Sequence, residues 1–135
     1  SEGYSPDLIV FLQCTSPLTL KEDIDGTIQI LLDNNADSAF SATPFHYFLW
    51  KNDPKGYAKG INHDKSIRLL RQDREDQYLE TGAVYVMRTD GFLNSKHRFF
   101  GKTIFYEMPE ERCFEIDDPI DLVIAEKLIL SITTV

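Results

Sequence analysis

The hydrophobic pattern of the first third of the chain predicts a strand, a helix and a second strand. Five consecutive apolar residues, Leu8–Leu12, are typical of a central strand buried on both faces of a parallel sheet. The hydroxyl residues Thr15 and Ser16 can cap a helix in which Ile24, Ile28, Leu31 and Leu32 recur at helical spacing. Residues 38–42 predict the next strand. Together these elements predict a βαβ unit with a right-handed crossover.

The middle of the chain, residues 43–76, shows no lasting helical period. Aromatic residues are mixed there with Pro54, Gly56, Gly60 and several charged side chains. We interpret this region as an arm of short strands and turns that is inserted into one domain covering residues 1–135, because the chain contains no internal repeat and no Ser/Gly-rich linker.

The final third returns to regular periodicity. Strand patterns occupy residues 78–86, 103–108 and 113–117, with a short helix near residues 89–94, and we expect these strands to extend the sheet in a mixed or antiparallel manner. Asp118 followed by Pro119 is a typical helix start. In the helix that follows, Ile120, Val123, Ile124, Leu128 and Ile129 are predicted to form an apolar face.

The composition and net charge of the chain argue against several kinds of partner. The 135 residues are 42% apolar and 27% charged, which is typical of one globular domain. The 14 basic residues are outnumbered by 22 acidic ones, and the net charge of -8 argues against nucleic acid or anionic membrane surfaces as partners.

The sequence predicts neither a membrane span nor a signal peptide, and its two cysteines do not predict a disulfide. The apolar runs are far shorter than the roughly 20 residues that span a bilayer, and the first residues do not resemble a signal peptide. Cys14 and Cys113 lack metal-type spacing and are interpreted as reduced thiols. We therefore expect a cytoplasmic protein.

Four acidic residues cluster before and within the start of the last helix. If residues 113–117 form a strand, Glu115 and Asp117 lie on one face about 7 Å apart, where two carboxylates can share a divalent cation. Such a position at the carboxyl end of a strand is where α/β sheets bind ligands. The alternative is that these acids only cap the helix, which is the favoured interpretation for Asp118 and Asp121.

Two further groups could bind a ligand. Arg68, Arg71 and Arg74 form a local basic group that suits an anion, although ion pairs with the neighbouring acids Asp73, Glu75, Asp76 and Glu80 are the more ordinary role. Gln13 ends the first strand, and helix capping by the hydroxyl residues after it leaves its amide unexplained. The three histidines show no zinc-type spacing.

Four segments in register resemble the acylneuraminate cytidylyltransferases, the CMP-sialic acid synthetases. They are LQCTSPL at residues 12–18, RQDREDQYLETGAVYV at residues 71–86, the Phe99-Phe100 pair, and FEIDDPIDLVIAEKL at residues 114–128. Their order and spacing agree with the family and cover nearly the whole chain. The resemblance implies a Rossmann-like nucleotide-diphospho-sugar transferase fold, a three-layer α/β/α arrangement with a mixed sheet and an inserted dimerisation arm.

The resemblance also implies an activity and a set of site residues. The activity is transfer of CMP from CTP to a nine-carbon keto-sugar acid, with magnesium, in a homodimer. By match to the family motifs, Glu115 and Asp117 hold the metal, the arm contributes Arg71 and Lys51 to the partner subunit's sugar site, and Gln72 binds substrate. Arg71 joins Asp117 as a catalytic residue. The sugar pocket is lined by Gln13, Tyr85, Phe99 and Phe100.

Several positions depart from the family pattern. Glu115 replaces the first of two aspartates, and Thr81 replaces an asparagine before Gly-Ala. Other departures are Cys14, Thr19 and Glu75. They bear on which sugar is used, so a cytidylyltransferase for another keto-acid sugar such as Kdo is an alternative.

The start of the chain differs from the family pattern more than any other segment. The family begins with a strand and a basic, glycine-containing loop that holds the triphosphate, and the sequence before Leu8 contains neither. We therefore expect this chain to be the C-terminal part of such an enzyme and to be inactive alone. A non-catalytic dimerisation or sugar-binding module is the remaining alternative.

Overall fold

A computed structural model describes residues 3–133, and it describes the exposure of the side chains through residue 131. Two compact units are present: one combines the chain up to Thr43 with the chain from Leu79 onward, and the other is Pro44–Tyr78, which overlaps the predicted arm. In chain order the elements are β1 (Leu8–Leu12), α1 (Lys21–Asp33), β2 (Ser38–Phe45), β3 (Trp50–Asn52), β4 (Ala58–Gly60), β5 (Gln77–Arg88), α2 (Thr89–Ser95), β6 (Thr103–Glu107) and α3 (Pro119–Thr133). None of the helices in the described part of the chain has the length and apolar character needed to cross a membrane.

The first unit is built on a four-stranded mixed sheet in the order β1-β5-β2-β6. β1 is antiparallel to β5, with Leu8 opposite Arg88 and Leu12 opposite Val84. β2 is parallel to β6. This mixed sheet with helices confirms the predicted α/β class. The core between sheet and helices consists of Leu31, Ala36, Ala39, Ala83, Val84, Val86 and Met108.

The inner strands of the described sheet are β5 and β2, and β1 is not among them, so the prediction of a central strand from the first apolar run was wrong. β5 lies between β1 and β2 and buries every residue from Thr81 to Met87. β1 is an edge strand in this sheet, and Val10, Phe11 and Leu12 are 38–47% exposed. β1 and β2 are consequently not neighbours, although the helix between them is the predicted one. An apolar run marks burial potential, whereas the neighbours that bury it are set by distant parts of the chain.

The predicted strand at residues 113–117 is also absent. A 3-10 turn at Glu110–Arg112 leads into an irregular segment, in which the Ile116 N–H donates to the carbonyl oxygen of Thr15 at 2.8 Å. α3 begins at Pro119 as predicted. Its predicted apolar face is largely exposed, with Ile120 at 63%, and of the described α3 side chains Ala125 alone is buried.

The second unit is a small hairpin with irregular flanks. β3 and β4 are antiparallel, with Trp50 opposite Gly60. Between them, Asp53 Oδ1 accepts hydrogen bonds from the Lys55 and Tyr57 N–H groups and so stabilises the turn. The predicted short strands and turns are therefore present in this region.

Candidate active site

An aromatic surface covers one face of the β1–β5 pair. The antiparallel register sets Phe11 opposite Tyr85, and their ring centroids are 6.0 Å apart. Phe99 meets Tyr85 edge-on at 5.9 Å and also packs against Phe40 at 5.3 Å. Tyr85 and Phe99, two of the predicted pocket residues, are thus brought into contact by the fold.

Tyr85 is the best-defined polar group on this face. It is 2% exposed, and its hydroxyl donates a hydrogen bond to Glu80 Oε1. Burial, reinforced by the hydrogen bond to Glu80 and the negative charge of that carboxylate, raises the pKa of Tyr85 to about 12. The guanidinium carbon of Arg98 lies 4.4 Å from the Tyr85 ring centroid and opposes this shift. Tyr85 therefore remains a neutral hydrogen-bond donor throughout the physiological pH range.

Gln13 and Glu115, far apart in sequence, converge on Gly82. Gly82 has a φ of 68°, and a Cβ atom there would clash with Glu115 Oε1 and lie 3.4 Å from Gln13 Oε1. The Gln13 N–H donates to the carbonyl oxygen of Ala83 at 3.3 Å, which fixes the end of β1 beside this point. Glycine is required here because the backbone takes a left-handed conformation and a carboxylate occupies the side-chain space.

The charges around Glu115 fit a cation. Burial, together with the negative charges of Asp117 and Glu80, raises the pKa of Glu115. A divalent cation held by Glu115 and Asp117 would offset this repulsion. Across residues 3–133, no three His, Cys, Asp or Glu side chains form a metal-binding group. Two carboxylates suffice for Mg²⁺, which commonly completes its coordination shell with water and substrate phosphates.

Phe100 packs against different residues from those that surround the adjacent Phe99. It is half-buried, and a Cβ atom on Gly91 of α2 would clash with its ring. Its backbone N–H donates to Ser38 Oγ at 3.4 Å. These contacts describe packing between α2 and the sheet, whereas Phe99 contacts Tyr85.

The remaining predicted residues, Lys51, Arg71 and Gln72, are exposed and belong to the second unit. Within that unit the nearby arginines do not form the ion pairs considered as an alternative. The guanidinium carbons of Arg68 and Arg74 lie 4.0 and 4.1 Å from the ring centroid of Phe48, and Arg74 also donates to backbone carbonyl oxygens. The only ion pairs in residues 3–133 lie in the other unit.

Three residues near the site were missed by the sequence reasoning. Glu80, Gly82 and Arg98 were not predicted as site residues. Gly82 carries a usable signal, since a glycine inside a strand often marks a bulge or a close approach of another group. Arg98 carries no such signal in the sequence, because its contacts come from β1 and β5.

Thr81, which departs from the family pattern, has a structural role. It is buried, its Oγ1 lies 2.6 Å from Ser41 Oγ, and it donates to the carbonyl oxygen of Ser41 at 3.1 Å. The side chain is therefore committed to the contact between β5 and β2.

Comparison with known proteins identifies N-acylneuraminate cytidylyltransferases as relatives. N-acylneuraminate cytidylyltransferase A of Danio rerio is 30% identical over 131 residues, covering 92% of this chain and 29% of the relative. N-acylneuraminate cytidylyltransferase of Streptococcus agalactiae serotype III is 30% identical over 118 residues, covering 84% of this chain and 28% of the relative. The chain thus spans less than a third of the length of these curated relatives. No family model matches the chain.

The fold has a counterpart among solved structures. The crystal structure of a 4-diphosphocytidyl-2C-methyl-D-erythritol synthase from Anaerococcus prevotii matches with a TM-score of 0.62, covering 96% of this chain and 62% of that chain. The identity is 13%, so the likeness concerns the fold alone. It supports the Rossmann-like arrangement expected from the sequence.

Proposed function

We propose, on the premise that this chain belongs to the acylneuraminate cytidylyltransferase family, that the protein carrying it transfers CMP from CTP to an acidic nine-carbon keto-sugar and releases pyrophosphate. The names of the curated relatives support both the reaction and the sugar class. The observation that carries the proposal within the molecule is the convergence of Gln13 and Glu115 at Gly82.

The acidic side of the site is proposed to hold magnesium through Glu115 and Asp117. When bound, the ion would neutralise negative charge on the nucleotide phosphates. The left-handed backbone at Gly82 leaves space for the Glu115 carboxylate beside the sheet. The Tyr85 hydroxyl, by donating to Glu80, orients that neighbouring carboxylate and partly satisfies its charge.

The aromatic side of the site is proposed to receive the sugar. Phe99 is half-buried and offers ring surface to the apolar face of a sugar, the buried Tyr85 supports that ring edge-on, and Gln13 offers an amide that can both donate and accept hydrogen bonds. Phe100 supports this surface by packing against α2. Binding of this kind positions the attacking hydroxyl, which is the main contribution a protein makes to phosphoryl transfer.

The second unit is proposed to mediate a homodimer and to supply Lys51, Arg71 and Gln72 to the partner subunit's sugar site. All three side chains are exposed and so are available to a ligand or partner. The unit also exposes large apolar side chains, namely Tyr47, Leu49, Trp50, Tyr57, Ile61, Ile67, Leu69, Leu70 and Tyr78. Burial of such a surface against a second copy would remove it from water.

The test of the proposed reaction is release of pyrophosphate from CTP and N-acetylneuraminate by the protein carrying this chain, with Mg²⁺ present. Asp117→Asn removes one proposed ligand charge and should lower kcat/KM by about 100-fold or more. Asp118→Asn is the matched control, since it makes the same carboxylate-to-amide change at an exposed neighbour and should stay within about threefold of the wild type.

Magnesium binding is measured separately, by titration calorimetry. Loss of activity in Asp117→Asn together with weaker Mg²⁺ binding supports the metal role. Equal activity of the two variants would remove Asp117 from the site, and absence of pyrophosphate release from the wild-type protein with any keto-sugar acid would overturn the proposed reaction.

A further inference from the structure

Two buried hydroxyl groups, those of Ser41 and Thr81, which we call the hydroxyl pair, tie β5 to β2 on both sides of Gly82. The Val84 N–H donates to Ser41 Oγ at 3.0 Å, and Thr81 Oγ1 lies 2.6 Å from the same oxygen. Thr81 also donates to the Ser41 carbonyl oxygen at 3.1 Å. Ser41 and Thr81 are 1% and 2% exposed. One residue of β2 therefore holds β5 residues that lie before and after Gly82.

The hydrogen bonds of the hydroxyl pair form a closed chain. Because Thr81 gives its one hydroxyl proton to the Ser41 carbonyl oxygen, the Ser41 hydroxyl donates to Thr81 Oγ1. The other acceptor near the Ser41 hydroxyl, the Val84 carbonyl oxygen, is more distant at 3.5 Å. Each hydroxyl thus donates once and accepts once, and a change of partner would leave a buried polar group unpaired. The pair therefore resists movement of β5 relative to β2.

Gly82 and Ala83 lie between the two tied positions, and both contact residues of the candidate site. Gly82 has a left-handed φ of 68°, and Glu115 Oε1 occupies the space that a Cβ atom would need. The Ala83 carbonyl oxygen accepts from the Gln13 N–H at 3.3 Å. Glycine has no side chain to restrict its own backbone, so its conformation depends on its neighbours. The hydroxyl pair restricts it from the β2 side, and Gln13 does so from the β1 side.

We infer that Ser41 and Thr81 are positioning residues for the proposed metal site, acting through Gly82 on the Glu115 carboxylate; this inference rests on the proposed function. Neither hydroxyl is free to bind a ligand, because both are engaged between β5 and β2. Their effect is to hold the left-handed backbone in one place, which keeps open the space that the carboxylate occupies. Replacing a residue that orients a metal ligand commonly lowers metal affinity by about 10- to 100-fold.

A purely structural role for the hydroxyl pair predicts a different result. In that case loss of a hydroxyl lowers stability but leaves the Mg²⁺ affinity of the folded protein unchanged. Ser38 provides the matched comparison, because it is a β2 serine at 0% exposure whose Oγ lies 2.8 Å from Thr103 Oγ1 of β6. Ser38→Ala therefore removes the same kind of buried hydrogen bond, but toward β6 and not toward β5.

The test measures Mg²⁺ affinity by titration calorimetry with the protein carrying this chain. Ser41→Ala and Thr81→Val should each weaken Mg²⁺ binding by about 10-fold or more. The double variant should be no more than about twofold weaker than either single variant, because the two hydroxyls act as one unit. Thr81→Ser keeps the hydroxyl and should stay within about threefold of the wild type. Ser38→Ala should stay within that range too, although its urea midpoint falls as that of Ser41→Ala does.

Amide hydrogen exchange at Gln13 gives a second readout that needs no metal. The Gln13 N–H donates to Ala83, so loosening of the backbone at Gly82 should speed its exchange. We expect Ser41→Ala to exchange this proton at least about fivefold faster than Ser38→Ala.

The outcomes separate this inference from the proposed function. Weaker Mg²⁺ binding in Ser41→Ala than in Ser38→Ala, with faster exchange at Gln13, supports the positioning role. Equal Mg²⁺ affinity of those two variants overturns it, whatever their stabilities. If Ser41→Ala does not fold, Thr81→Val against Thr81→Ser makes the same comparison. A wild type that binds no Mg²⁺ overturns the inference together with the proposed metal site, whereas pyrophosphate release tests the reaction alone.

Discussion

Asp23 and Arg112 form a two-point ion pair that fastens α1 to the turn preceding Glu115. The Arg112 Nη2 atom lies 2.6 Å from Asp23 Oδ1, and its Nε atom lies 3.0 Å from Oδ2. Asp23 is fully buried and also accepts a hydrogen bond from the Leu20 N–H at 2.9 Å. The carboxylate raises the pKa of Arg112. One side chain therefore caps the start of α1 and holds the segment that leads to the proposed metal site.

Replacing Asp23 should destabilise the protein strongly. Asp23→Ala breaks a buried pair and frees a helix-capping contact, and we expect the free energy of unfolding to fall by about 3 kcal/mol. Urea denaturation measures the change. Glu22→Ala is the matched control, because Glu22 belongs to an exposed pair with Lys21 at 3.7 Å, and it should cost less than about 1 kcal/mol. Equal losses in the two variants would contradict the role assigned to Asp23.

Tyr85 should make stability fall at alkaline pH. Its pKa is raised to about 12 in the folded protein, against the ordinary value near 10 in the unfolded chain. Between these values the unfolded state has lost a proton that the folded state keeps, so the contribution is complete below pH 10 and is lost as the pH approaches 12. The loss should reach up to about 2 kcal/mol. Urea denaturation from pH 9 to pH 11 should show a shallower decline for Tyr85→Phe than for the wild type.

Tyr57→Phe provides the control for that titration. Tyr57 is an exposed tyrosine of the second unit, and this variant keeps Tyr85, so its stability should decline with pH as steeply as that of the wild type. If Tyr85→Phe and Tyr57→Phe behave alike, the alkaline loss does not come from Tyr85.

Gly82→Ala should combine backbone strain with displacement of Glu115. Gly82 and Gly56 both have left-handed φ values, 68° and 83°, so an alanine is strained at either position. A Cβ atom at Gly56 meets no atom within 4 Å, whereas one at Gly82 clashes with the Glu115 carboxylate. Gly56→Ala should therefore cost about 1 kcal/mol from strain alone. Gly82→Ala should cost more and should also weaken Mg²⁺ binding, which calorimetry measures. Unchanged Mg²⁺ binding would separate Gly82 from the metal site.

The proposed homodimer predicts that a charge on the exposed apolar surface of the second unit weakens association. Leu70 is 62% exposed, and Leu70→Asp should raise the dimer dissociation constant by at least about tenfold. Sedimentation velocity over a range of concentrations measures this. Lys55→Asp, at an exposed turn of the same unit, is the control and should leave association close to that of the wild type. A wild-type protein that remains monomeric at all concentrations would contradict the dimer itself.

Local sequence signals predicted most elements but not their neighbours. The turn residues and apolar periods gave α1, β2, α2 and α3 within a few residues, because capping and periodicity act over one or two helical turns. The same local signal misplaced β1, since an apolar run does not reveal whether a strand lies at the centre or the edge of a sheet. The apolar face predicted for α3 is largely exposed in the described residues, since amphipathic spacing shows which residues share a face and not what covers it.

For the candidate site, the sequence by itself predicted the family resemblance, the paired carboxylates and the aromatic positions, because these lie in short segments whose residue types can be recognised directly. Only the tertiary structure decided that Gln13 and Glu115 meet at Gly82, that Tyr85 donates to Glu80, and that Arg98 stacks on Tyr85 and Phe11. The register of β1 with β5 and the path of the chain after β6 create these contacts. Such pairings depend on the packing free energy of the whole unit, which no local pattern encodes.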